Sequence, residues 1–105
     1  MKFDAGKRTR IYVDLIVGID PDGSTVELRV DGTWYPASWL GTATMATVDG
    51  RTVWIQTALT TGYFAGPDVT ASGATVLALG IHPMEARITS GQDILPVDLK
   101  PAVVK

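Results

Sequence analysis

Between residues 25 and 31 the chain alternates without a break, with Val26, Leu28 and Val30 apolar and Glu27, Arg29 and Asp31 polar. A period of two predicts a β-strand with one dry face. Asp31-Gly32 then supplies the two positive-φ positions of a type I′ turn, so the next segment is expected to fold straight back carrying Trp34, Tyr35 and Trp39. Residues 9–17 show the same period, with Ile11, Val13, Leu15 and Val17 set against Arg10, Tyr12, Asp14 and Ile16. This predicts a first strand whose Ile11, Val13 and Leu15 share one core with Val26, Leu28 and Val30.

Residues 18–23, with Pro21 and the pair Asp22-Gly23, are turn formers that return the chain to the hairpin of residues 25–40. Pro36 has no amide hydrogen for a ladder, which places WYPASWLG at an edge, a bulge or a corner. A third Asp-Gly pair, Asp49-Gly50, predicts a second hairpin between residues 42–48 and 52–58. In its later arm Val53 and Ile55 are expected to be buried, with Trp54 facing away from them. Residues 60–73 read as a loop pinned by one of the adjacent aromatics Tyr63 and Phe64, residues 75–79 as a short strand, and residues 80–83 as a turn. Residues 84–89 alternate Met84, Ala86 and Ile88 with Glu85, Arg87 and Thr89; Ser90-Gly91 turns, and residues 93–99 form a last strand ending near Pro101. No window carries the i, i+3, i+4, i+7 spacing with caps that a helix requires. The expected fold is therefore all-β, a small antiparallel β-sandwich or barrel of about seven or eight short strands.

A chain of 105 residues is expected to form one domain, burying about 65% of its unfolded surface. With 46% hydrophobic and 19% charged residues it reads as globular rather than disordered. No apolar run approaches the roughly 20 residues that cross a bilayer, and MKFDAGKRTR leads into no continuous apolar segment of the secretory kind. A soluble protein with no membrane partner is expected. Cysteine is absent, which removes disulfides, thiolate nucleophiles and cysteine zinc sites together.

Charge changes the picture at the ends. Residues 1–10 hold Lys2, Lys7, Arg8 and Arg10 against Asp4, whereas the remainder is acidic enough to bring the whole chain to −2. Residues 1–8 accordingly read as a basic N-terminal arm, residues 9–99 as the β domain, and residues 100–105 as a C-terminal arm. An arm of this kind can add a strand to a neighbour or dock on an acidic body. Neighbouring copies of the chain are the expected recipients, and nucleic acid is not the expected partner.

Candidate chemistry is sparse. His82 is the one histidine, and its Ile-His-Pro setting reads as a turn residue without the oriented partners of a catalytic base. His82 and Glu85 have an HxxE spacing, but a strand places them on opposite faces, and a metal site needs further ligands. DPDG, residues 20–23, resembles the start of a calcium loop yet lacks the terminal Glu and flanking helices, so turn chemistry accounts for it better. No catalytic, cofactor-binding or metal-ligating residue is assigned, and a non-enzyme without cofactor is expected. Trp34, Tyr35, Trp39 and Trp54 admit two readings. They form a platform on which sugars or bases stack, such as a host-surface glycan, or they are a core or interface cluster, the commoner fate of tryptophan in a small domain. With Lys2, Lys7 and Arg8 they make up the candidate interaction surface.

The segments DPDGSTVELRVDGTWYPASW, TTGYFAGPDV and TVLALGIHPMEARITSGQDI resemble small virion-associated proteins encoded among the structural genes of tailed bacteriophages of actinobacteria. The resemblance covers the chain from about residue 12 to about residue 99 and transfers no site residue. It implies a non-catalytic β-domain located in the virion, working in symmetric copies with itself and other virion proteins. A tail-associated subunit is the leading expectation. A head decoration or head-tail connector subunit, or a glycan- or peptide-binding β module, is the alternative.

Overall fold

The computed structural model describes residues 1–67 and 73–105, and every regular element in them is a β-strand. There are ten: β1 (Lys2–Phe3), β2 (Arg8–Thr9), β3 (Tyr12–Val17), β4 (Thr25–Val30), β5 (Thr33–Val48), β6 (Arg51–Thr60), β7 (Tyr63–Ala65), β8 (Ala74–Val76), β9 (Gly80–Ser90) and β10 (Asp93–Val104). Seven form one curled sheet in the order β1-β10-β9-β4-β5-β6-β3, and β2-β7-β8 form a small second sheet. All pairings are antiparallel except β1 with β10 and β7 with β8. The protein is thus all-β, with the curled sheet of a small barrel or sandwich. Its strands are more numerous and less uniform than expected, since β5 alone runs for 16 residues.

The alternation that predicted the core holds. Val26, Leu28 and Val30 of β4, Ile11 and Leu15 around β3, and Met84, Ala86 and Ile88 of β9 are all buried in one cluster, with Val13 packed against it. The small sheet and the segment after it contribute Phe64 and Leu77 to the same cluster. Phe64 meets Tyr35 edge-on, with centroids 4.9 Å apart.

Two of the three Asp-Gly pairs form the expected turn. Asp31 and Gly32 have φ of 51° and 82°, and Asp49 and Gly50 have 51° and 75°, the double positive φ of type I′. At Asp22-Gly23 only the glycine is positive. Ser24 N–H donates to Pro21 O at 3.0 Å, as in a type II turn. Gly32→Val is expected to cost more than about 1 kcal/mol, because a β-branched side chain is strained at this φ. A denaturant titration checks this, and an unchanged midpoint would contradict it.

Pro36 lies where the β5–β6 ladder ends. It pairs with Glu27 of β4, while β6 ends at Thr60 opposite Ala37. Pro36 O accepts from Thr61 N–H at 3.0 Å, and the missing N–H points to that same side, where the ladder has already ended.

Four expectations are corrected. Residues 80–83 are not a turn: they open β9, and His82 is buried opposite Ala102. On β6 the buried side belongs to Gln56, Ala58 and Thr60, with Trp54 packed on the core, whereas Val53 and Ile55 face outward. Alternation was right about who shares a face and wrong about which face is dry, because a glutamine and a threonine occupy core positions. The loop of residues 60–73 contains β7; its residues 68–72 lie outside the described residues. The fourth correction concerns the arms. Residues 100–105 continue β10 past a one-residue bulge between Leu99 and Ala102 that absorbs Pro101, and Ala102 and Val104 are buried. Lys2 and Phe3 pair with Val103 and Val104, and Ala5 N–H donates to Lys105 O at 2.7 Å. The two ends satisfy each other's backbone groups and complete the core instead of projecting from it.

Candidate interaction surfaces

The aromatic residues do not make one platform. Cross-strand register places Trp34 opposite Arg29 on the outer face, and Tyr35 opposite Leu28 on the inner face. Trp39 lies opposite buried Ala58 and donates its indole N–H to Ser24 O at 3.0 Å. Trp54 packs on the core. Tyr35, Trp39 and Trp54 are therefore half-buried parts of the interior wall, and Trp34 stands apart from them.

Around Trp34 the outer face of β4 and β9 carries a charge ladder. Arg29 Nη1 donates to Glu85 Oε1 at 2.7 Å, and Arg87 Nε donates to Glu27 Oε1 at 2.9 Å. Both pairs sit directly opposite in the register, the geometry in which opposite charges support a sheet. Their guanidinium carbons lie 5.7 Å (Arg29) and 4.1 Å (Arg87) from the Trp34 ring centroid. Trp34 is thus engaged by two cations, which leaves it as a structural member of the ladder rather than a bare stacking surface.

The basic residues of the first segment occupy different elements. Lys2 is in β1, Lys7 N–H closes a turn onto Asp4 O at 3.0 Å, and Arg8 of β2 lies 5.0 Å from the Tyr63 ring centroid on the small sheet. DPDG is a turn whose Asp20 Oδ1 accepts from Asp22 N–H at 3.0 Å. Among the described residues no three His, Asp or Glu side chains are grouped to hold a metal ion.

Two surface features were not anticipated. The first is the outward side of β5, β6 and β3. Tyr12, Ile16 and Leu40 are 57%, 61% and 60% exposed, and register sets Tyr12 beside Leu59 and Ile16 beside Ile55. Together they form an apolar stripe over three adjacent strands, interrupted by Asp14, which accepts a hydrogen bond from the Thr57 hydroxyl. The signal was available in Tyr12 and Ile16, the large residues assigned to the outer side of an alternating strand. The same face continues into the far end of the β5–β6 hairpin, where residues 46–48 and 51–53 pair only with one another. Val48, opposite Arg51, is exposed on that face, and Met45, opposite Trp54, is exposed on the other.

The second feature is a seam. β3 and β1 are the two edges of the main sheet, and no ladder joins them. They meet across a cleft of about 460 Å³ lined by Tyr12, Val13 and Asp14 on one side and by Met1, Lys2, Asp98, Leu99 and Lys100 on the other. The sheet curls almost into a barrel and stops short of closing.

These features define a small all-β domain with an outward apolar stripe and an unclosed seam. No protein-family model matches the chain, no curated protein is significantly similar to it, and no solved structure matches its fold.

Proposed function

We propose that the chain is a non-catalytic structural subunit of a tailed-bacteriophage virion, associated with the tail and assembling in symmetric copies. The observation that supports this reading is the outward apolar stripe of Tyr12, Ile16, Leu40, Ile55 and Leu59, which lies on an edge strand and its neighbours. Contiguous apolar surface rimmed by polar residues is characteristic of contact sites between proteins, and repeated copies of one chain usually assemble with symmetry. The resemblance of the DPDGSTVELRVDGTWYPASW, TTGYFAGPDV and TVLALGIHPMEARITSGQDI segments to virion proteins supplies the biological setting.

Assembly through this stripe makes a specific demand. The double variant Ile16→Lys/Leu40→Lys alters two exposed side chains, so it is expected to keep the parent melting midpoint while losing incorporation into particles. Mass spectrometry of gradient-purified virions reads incorporation, and immunogold labelling reads position. Full incorporation of the double variant, or absence of the parent chain from particles, overturns the proposal. Label on the head or neck replaces the tail assignment with a decoration or connector one.

A further inference from the structure

His82 is buried at the start of β9, and both of its ring nitrogens face acceptors. Nδ1 contacts the Asp31 carboxylate, and Nε2 lies 2.7 Å from Ala78 O. A neutral imidazole carries one N–H and one lone pair, so it satisfies one of these oxygens and opposes its lone pair to the other. Only the imidazolium donates to both. The arrangement therefore selects the protonated ring on geometry alone.

The three partners come from three parts of the fold. Asp31 is the first residue of the β4–β5 turn, and its own N–H donates to Pro83 O at 3.1 Å. His82 belongs to β9, paired with Ala102 of β10. Ala78 lies in the link from β8 to β9, one residue after Leu77, whose side chain is in the core and whose N–H donates to Ala65 O at 2.8 Å. The ring thus ties the link that leaves the small sheet to the rim of the main sheet.

We infer that His82 is a protonation-controlled latch: as the imidazolium it pins the β8–β9 link to the β4–β5 turn, and on losing its proton it lets the link and Leu77 loosen. Among the described residues Asp31 is the one charge acting on the ring. The neighbouring residues Ile81, Pro83, Pro101 and Val103 are uncharged, and Arg29 and Glu85, further along β4 and β9, are paired with each other. Burial of the ring works against its charge, but the Ala78 carbonyl and the Asp31 carboxylate outweigh it and hold the pKa above the ordinary 6.5. The sign follows from linkage. With the folded value raised, the latch contributes its full stability below about pH 6.5, the value of the unfolded chain, and loses it as pH rises through the folded value.

The chain has a single histidine, so its ¹⁵N and ¹³C ring resonances report this group alone. In the intact protein His82 is expected to titrate above 6.5, with both nitrogens protonated below its midpoint. The protection of the Leu77 amide against hydrogen exchange, corrected for intrinsic rate, should fall through that same midpoint. Asp31→Asn is the informative variant. Asparagine is favoured at this position of a type I′ turn, so the hairpin is kept while the charge is removed, and both transitions should move to lower pH together. His82 titrating at or below 6.5 in the parent, a midpoint unmoved by Asp31→Asn, or Leu77 protection flat through the midpoint each overturns the latch.

Discussion

Replacing Gly66 by alanine is expected to remove about 3 kcal/mol or more of stability, at the upper end of what overpacking costs. A Cβ at this position would lie 2.5 Å from Ala5 Cα, 2.6 Å from Ala5 Cβ and 2.9 Å from Ala5 O. Two of these atoms are backbone, so no rotamer change relieves the clash. The Ala5 segment must move instead, and it is held by Ala5 N–H to Lys105 O and by the pairing of β1 with β10. The effect should therefore be coupled to the N-terminal segment. Deleting residues 1–5 is expected to destabilise the parent strongly, since it removes β1 and buried Ala5, yet to cost the Gly66→Ala protein much less, because the clash disappears with the same residues. Denaturant titration of the four proteins of this cycle measures the coupling. Additive losses would mean that the two segments do not press on one another.

The second large effect is expected at Phe64. It is 1% exposed, among the largest of the fully buried side chains, and it is the small sheet's aromatic contact with Tyr35. Phe64→Ala should cost about 3 to 5 kcal/mol through lost burial and the cavity left behind, together with the edge-on ring contact. For a domain whose total stability is on the order of 5 to 15 kcal/mol this is a large share. Tyr63→Ala is the matched control, because Tyr63 is exposed on the same strand, and it should change the midpoint far less. Equal losses from the two would show that the small sheet does not depend on Phe64 for its docking.

The same contacts explain why the chain ends are better read as part of the fold. A basic, non-periodic opening and a short Pro-containing tail have the composition of arms, and each is too short to be a stable element alone. Together they are not. β1 is two residues long and is ordered by β10, which in turn passes Pro101 by a bulge and buries Ala102 and Val104. The partner that makes each end an element lies about 100 residues away in sequence, as the bond from the Met1 amino group to Pro101 O at 3.2 Å illustrates. No local pattern carries that information.

Sequence alone determined what depends on neighbours along the chain. The strands around Val26, Leu28 and Val30 and around Met84, Ala86 and Ile88 follow from alternation, because side chains two apart on an extended backbone must share a face. The turns at Asp31-Gly32 and Asp49-Gly50 follow from the residues that tolerate positive φ. The tertiary structure decided what depends on distant partners. It set which face of β6 is dry, where Gln56 and Thr60 are buried against the apolar reading of Val53 and Ile55. It also divided the aromatic cluster between two faces, and gave His82 an acid 51 residues away in sequence. Alternation specifies a pair of faces but not which one is covered, and covering is a property of the curled sheet as a whole.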